Sequence, residues 1–119
     1  MIHKKLEVWE KSIDLVVIIY SSTRSFPNDE KFGLTNQMRR AAISIPSNIA
    51  EGCARNSTRE LKQFLVIARG SLAELETQVI IADRIGYFKK IDSRLDETIT
   101  ILGKMLNALI QKITTMTSH

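Results

Sequence analysis

Apolar residues recur along most of the chain at intervals of three and four, the spacing that lines one side of an α-helix. From Leu6 to Tyr20 the stripe is Leu6, Trp9, Ile13, Val16 and Tyr20, and a second apolar stripe of Val8, Leu15 and Ile19 runs beside it. Only a narrow side bearing Glu7, Lys11 and Asp14 is left for water, so this helix is expected to be buried on more than one side. The stretch "SFPND" ends it, because Pro27 cannot continue a helix and pushes Phe26 toward extended geometry. A second helix is expected after Gly33, with Thr35 as N-cap and Met38, Ala42, Ile45, Ile49 and Cys53 on its inner face. Ser57 and Glu60 form a capping box that opens a third, whose seam of Leu61, Leu65, Ala68, Leu72, Leu75, Val79 and Ala82 keeps heptad spacing. Gly86 is a C-terminal stop, and Asp92 is positioned to cap a fourth helix with the seam Leu95, Ile99, Leu102, Leu106, Leu109 and Ile113.

Four helical patterns joined by short connections predict an all-α single domain over residues 1–119, an antiparallel up-down-up-down four-helix bundle. Ile101, Met105 and Ile110 lie off the seam of the fourth helix, as Val8, Leu15 and Ile19 lie off that of the first. Two readings fit these extra faces: self-association, or a wide core stripe. Pro46 interrupts the second helix at a cost of about 3 kcal/mol for an ordinary helix interior. Either the helix kinks there, with Ser44, Ser47 and Asn48 helping to satisfy the disturbed turn, or it ends near Ile45 and restarts with Ser47 or Asn48 as cap. Gly70, inside the third helix, costs about 1 kcal/mol relative to alanine and points to close approach of another helix.

Charge separates the middle of the chain from its flanks. Residues 37–72 hold six Lys/Arg against two Asp/Glu, while residues 1–36 hold five of each and residues 73–119 six of each. The net charge of +4 therefore sits in this middle segment, whose cations are Arg39, Arg40, Arg55, Arg59, Lys62 and Arg69. This basic set is the candidate contact for an anionic partner, with a plain solvated surface as the alternative. Glu51 and Arg55 are also spaced for an i, i+4 ion pair, which favours a structural role for Glu51. The histidines are His3 and His119, and Cys53 is the single cysteine. No metal cluster, nucleophile triad or phosphate loop can be assembled from this inventory, so no cofactor is expected and the chain reads as a non-enzyme. One cysteine, no signal-peptide pattern and no apolar run near the roughly 20 residues of a membrane span point to the cytoplasm and away from membranes.

Three stretches, "LEVWEKSIDLVVIIY", "FPNDEKFGLTNQMRRAAISIPSNIAEGCARNSTRE" and "IARGSLAELETQVIIADRIGY", carry a resemblance. In this order they resemble the four-helix-bundle proteins encoded within intervening sequences of bacterial 23S ribosomal RNA genes. The likeness runs from about Leu6 to Tyr87 and includes Arg39, Arg40, Asn48, Glu51 and Gly70. It implies a bundle assembled as a ring-like homopentamer, which would use the extra apolar faces. It also implies kinship with the accessory protein of diversity-generating retroelements, a basic pentamer that binds nucleic acid and a reverse transcriptase. The resulting expectation is an oligomeric bundle that binds structured nucleic acid, RNA (ribosomal RNA included) ahead of DNA, through the basic set. The alternative is a scaffold that docks a partner protein such as a reverse transcriptase.

Overall fold

The computed structural model describes residues 6–117, so His3 and His119 lie outside the described residues. Four helices account for most of them: α1 (Glu7–Thr23), α2 (Leu34–Cys53), α3 (Thr58–Ile85) and α4 (Ser93–Thr117), with a 3-10 turn at Asn28–Glu30 and no strand. α1 packs on α2 and α4, and α3 packs on the same two, so each helix has two neighbours around one core. The body is a rod of 50 × 24 × 21 Å.

The inner faces of α2 and α3 follow the predicted stripes. Met38, Ala42, Ile45, Ile49 and Cys53 are buried, as are Leu61, Leu65, Ala68, Leu72, Leu75 and Ala82. Burying each larger member of this set contributes about 1.5–3 kcal/mol, which is what fixes these two helices against each other. α1 inverts the expectation. Val8, Leu15 and Ile19 form the core stripe with Ser12 and Ile18, whereas Trp9, Val16 and Tyr20 are half-buried at the margin. Periodicity presents two apolar stripes of similar weight, and the amphipathic rings of Trp9 and Tyr20 suit an edge better than a centre. In α4 the core runs through Leu95, Ile99, Leu102, Leu106, Ile110 and Ile113, and Leu109 is only half-buried. A 3.6-residue turn drifts past a 3.5-residue seam, so by the fifth turn the inward position has moved on by one. Val8, Leu15, Ile19 and Ile110 thus widen the core and Met105 packs at its edge, whereas Ile101 is half-buried in a groove beside the exposed Val17.

Helix ends show where local chemistry decides. Ser57 Oγ accepts the Glu60 amide at 3.1 Å, and Gly86 closes α3 in the left-handed region with φ +90°. Asp92 Oδ1 accepts the Arg94 amide at 2.9 Å at the start of α4. Thr35 does not cap α2: the helix begins one residue earlier, and Glu30 Oε1, on the preceding turn, accepts the Leu34 amide at 3.2 Å. Thr35 is instead buried. Glu30 also accepts the Tyr87 hydroxyl at 2.6 Å, and Phe26 meets Tyr87 and Phe88 with ring centroids 5.4 and 5.2 Å away. The α1–α2 and α3–α4 connections are thereby latched together at one end of the rod. α2 runs unbroken through Pro46, which is buried, so the helix does not end and restart near Ile45.

Candidate nucleic-acid interface

The six basic side chains divide into three environments. Arg39 faces α1: its Nε donates to Thr23 Oγ1 at 3.0 Å, its Nη2 to the Tyr20 carbonyl at 3.4 Å, and its guanidinium lies 4.5 Å from the Tyr20 ring centroid. Those bonds commit it to holding α1 on α2. Arg40, the next residue, points the other way into a groove of about 490 Å³ lined by Phe32, Asn36, Gln37, Ser44, Ser71 and Glu74. Arg69 is exposed and donates to Asn107 Oδ1 at 3.2 Å, bridging α3 to α4.

Arg55, Arg59 and Lys62 follow one another in sequence across the α2–α3 turn, Arg55 just past the end of α2 and the other two in the first turns of α3. Gly52 makes that turn tight, since a Cβ there would lie 2.9 Å from Phe64 Cβ and 3.3 Å from the Leu61 carbonyl oxygen. The Arg55 guanidinium then rests 4.9 Å from the Phe64 ring centroid and pairs with Glu51 at 2.9 Å. Both partners of that pair are about half exposed, so it orients the arginine more than it stabilises the fold. Arg59 is exposed in the first turn of α3, Lys62 is half-buried beside it, and a hollow of about 190 Å³ lies between Gly52, Cys53, Asn56, Ser57 and Thr58. Arg39 and Arg40 sit near the start of α2, about 20 Å along the helix axis from this turn. Adjacency in sequence therefore did not make one surface of six.

Among the residues assigned structural roles, Asn48 donates through Nδ2 to the Ser44 carbonyl at 2.7 Å and to Ser44 Oγ at 2.9 Å. Ser44 Oγ in turn meets Ser71 Oγ at 2.8 Å, so this chain of bonds ties α2 to α3. The Asn48 side-chain amide goes to Ser44, not to the Ala42 carbonyl, to which Pro46 has no N–H to donate. Gly70 departs from expectation: nothing lies within 4 Å of where its Cβ would sit, so no helix of the same chain approaches it. Cys53 is buried and free, and burial pushes its thiol above the ordinary range. Among the described residues no cluster of His, Cys, Asp and Glu could hold a metal ion, and no helix is long and apolar enough to cross a membrane.

The family model described as 23S rRNA-intervening sequence protein matches residues 4–108. The chain belongs to this family. The match takes in all of α1, α2 and α3 and most of α4, and so contains every basic residue just placed. No curated protein matches the chain. Sequence reasoning missed the division of labour within this intervening-sequence protein's arginine pair, because neighbouring helix positions point about 100° apart and only the tertiary partners decide which one is consumed. Phe64, the platform under Arg55, was also missed; its place nine residues on from Arg55 was the available signal.

Proposed function

We propose that the chain is a non-enzymatic cytoplasmic protein that binds structured nucleic acid, RNA ahead of DNA, through the phosphates. Arg55, Arg59 and Lys62 make the primary contacts, and Arg40 and Arg69 extend the surface. The observation that carries this reading is that three cations lie within one short stretch of sequence across the α2–α3 turn, in a chain whose flanking segments are charge-balanced. In the same reading the helices run up-down-up-down: Gly52 lies against Leu61 and Phe64 while Ser44 meets Ser71, and Gly103 faces Leu72 while Asn107 meets Arg69. α2 bends at Pro46 around the bundle, and copies assemble into a ring, a homopentamer, in which the basic turns act together.

Fluorescence anisotropy with structured RNA and duplex DNA at two salt concentrations tests the binding. Three phosphate contacts per site predict a roughly 20- to 40-fold fall in affinity between 50 and 200 mM salt. Replacing Arg55, Arg59 and Lys62 with Ala removes that binding while leaving the circular-dichroism spectrum intact; unchanged binding by the folded variant refutes the assignment. A second reading, docking of a protein such as a reverse transcriptase, draws on Phe32, which is 87% exposed at the mouth of the Arg40 groove. A reverse-transcriptase gene beside this one, together with loss of capture by a Phe32→Ser variant, supports that reading.

A further inference from the structure

The groove between α2 and α3 holds two opposite charges that the fold leaves unspent. Arg40 lies one turn before Ser44 and Glu74 one turn after Ser71, so the 2.8 Å contact between those hydroxyls sets the two charged residues on facing helices of one groove. Among the described residues the ion pairs are Arg55–Glu51 and Arg94–Asp92, so Arg40 and Glu74 share the groove without pairing. Glu74 is exposed, and its Oε1 accepts from Gln78 Nε2 at 3.3 Å. Gln78 is only 6% exposed, and its own Oε1 is buried with no partner among the described residues. Buried amides are ordinarily satisfied at both ends. Here the nitrogen is given to holding a carboxylate in place, and Glu74 Oε2 has no hydrogen bond among the described residues.

We propose that this groove holds an unpaired guanine of the bound RNA, an inference that rests on the nucleic-acid reading above and gives it a sequence preference. Guanine is the base whose Watson–Crick edge carries two adjacent donors, N1–H and the 2-amino group, and a carboxylate, which only accepts, meets both with its two oxygens. Each carboxylate oxygen has two acceptor sites, so the bond from Gln78 leaves room for this. O6 and N7 on the adjoining edge suit Arg40, arginine to guanine being the commonest specific contact of a side chain with a base. Adenine and cytosine each place one amino donor beside a bare ring nitrogen, and uracil has one N–H between two carbonyls, so each brings an acceptor against Glu74. Phe32, 87% exposed, offers a stacking face that any base can use, with Lys31 Nζ 5.6 Å from the ring centroid. The groove volume of about 490 Å³ is ample for a small ligand. A guanine within a duplex has its N1–H and amino group already bonded, so the groove selects loops and bulges. Phosphates at the α2–α3 turn supply affinity, and the groove supplies base choice.

Anisotropy titration of two labelled RNA hairpins, identical except for one unpaired loop nucleotide, G in one and A in the other, tests it. Both are purines, so stacking is matched and only the edge differs. The wild type is expected to bind the G hairpin tighter by roughly 5- to 150-fold, the range of one well-formed bidentate contact. Inosine at the same position keeps N1–H but lacks the 2-amino group, and its hairpin should fall between the two with no change to the protein. Glu74→Gln, at an exposed position, replaces an acceptor with a donor; it should bring the G hairpin to the affinity of the A hairpin, which itself stays as it was. Equal affinity of the wild type for the G and A hairpins, an inosine hairpin as tight as G, or an undiminished G preference in the folded Glu74→Gln variant overturns the proposal. The phosphate reading is judged separately, because replacing Arg55, Arg59 and Lys62 with Ala should lower both hairpins alike and leave their ratio intact. If the wild type binds neither hairpin, that reading falls and free nucleotides decide for the groove. Saturation-transfer NMR signals from GMP that exceed those from AMP and vanish in Glu74→Gln uphold it, and equal or absent signals overturn it.

Discussion

The substitution Gly52→Ala isolates the tight α2–α3 turn on which the basic cluster rests. An added methyl would lie 2.9 Å from Phe64 Cβ, 3.0 Å from Leu61 Cδ1 and 3.3 Å from the Leu61 carbonyl oxygen. Carbon–carbon contacts are comfortable at about 3.5–4.0 Å, so the overlap with Phe64 Cβ is roughly 0.6 Å or more. Leu61 Cδ1 can rotate away. The Leu61 carbonyl belongs to the α3 backbone and Phe64 Cβ is bonded directly to it, so both move only if the helix moves. Overpacking of this kind costs about 1–3 kcal/mol, and replacing glycine by alanine in a helix returns about 0.5–1 kcal/mol. The net expectation is a loss of about 1–2 kcal/mol, which for a domain of this size lowers Tm by roughly 4–8 °C. Gly70→Ala makes the same chemical change where nothing lies within 4 Å, so it should gain about 0.5–1 kcal/mol and raise Tm by a few degrees. Both are read by thermal and urea unfolding at one matched protein concentration. A Gly52→Ala variant as stable as its parent would refute the close approach of the two helices, and with it the placement of Phe64 under Arg55.

Arg39→Lys removes the fork that spans Thr23 and Tyr20 and should cost about 1–2 kcal/mol in urea unfolding, yet leave RNA affinity unchanged at temperatures where the protein is folded. Arg59→Ala should do the reverse. Glu30 is held below the ordinary carboxylate range by the Tyr87 hydroxyl first and the Leu34 amide second. Its contribution is therefore complete above the unfolded pKa of 4.5 and is lost as pH falls through the lower folded value. The Tm gap between wild type and Glu30→Gln should close on acidification, and a gap that persists at pH 2 would contradict the latch. Asp92 is pulled down to about 2 by Arg94, through its side chain and then its amide, so its cap on α4 should persist at pH 4 and fail below about 2. Amide exchange in the first turn of α4 across that range measures it, with Asp92→Ala as the uncapped reference.

The fold was legible wherever one inner face dominated the pattern. The seams of α2 and α3, the Ser57 cap and the Gly86 stop follow from residues within a turn or two of each other, which is the range over which backbone hydrogen bonds and side-chain direction act. Legibility failed where the deciding partner was distant in sequence. Thr35 is a good cap by type, but the helix starts ahead of it at Leu34, whose amide Glu30 accepts from the preceding turn. The two stripes of α1 were both visible, and α2 and α4 chose between them. The basic set was legible as a composition, but not as a surface, because Arg39 is consumed by Tyr20 and Thr23, residues that precede it by up to nineteen positions.

Gly70 shows why outward faces resist reading even when the signal is strong. A glycine in the interior of a 28-residue helix announces that something must come close. It does not say whether that neighbour is in the same chain. Within the chain the fold brings none: α2 and α4 occupy the flanks of α3, the space over Gly70 is open, and open aliphatic side chains surround it. Gly52 carries the same residue type with its neighbour present, pressed against Leu61 and Phe64. The contrast assigns Gly52 to the packing of the chain and leaves Gly70 without such a neighbour inside it. The two alanine substitutions should therefore part company: Gly52→Ala weakens the folded chain, and Gly70→Ala strengthens it.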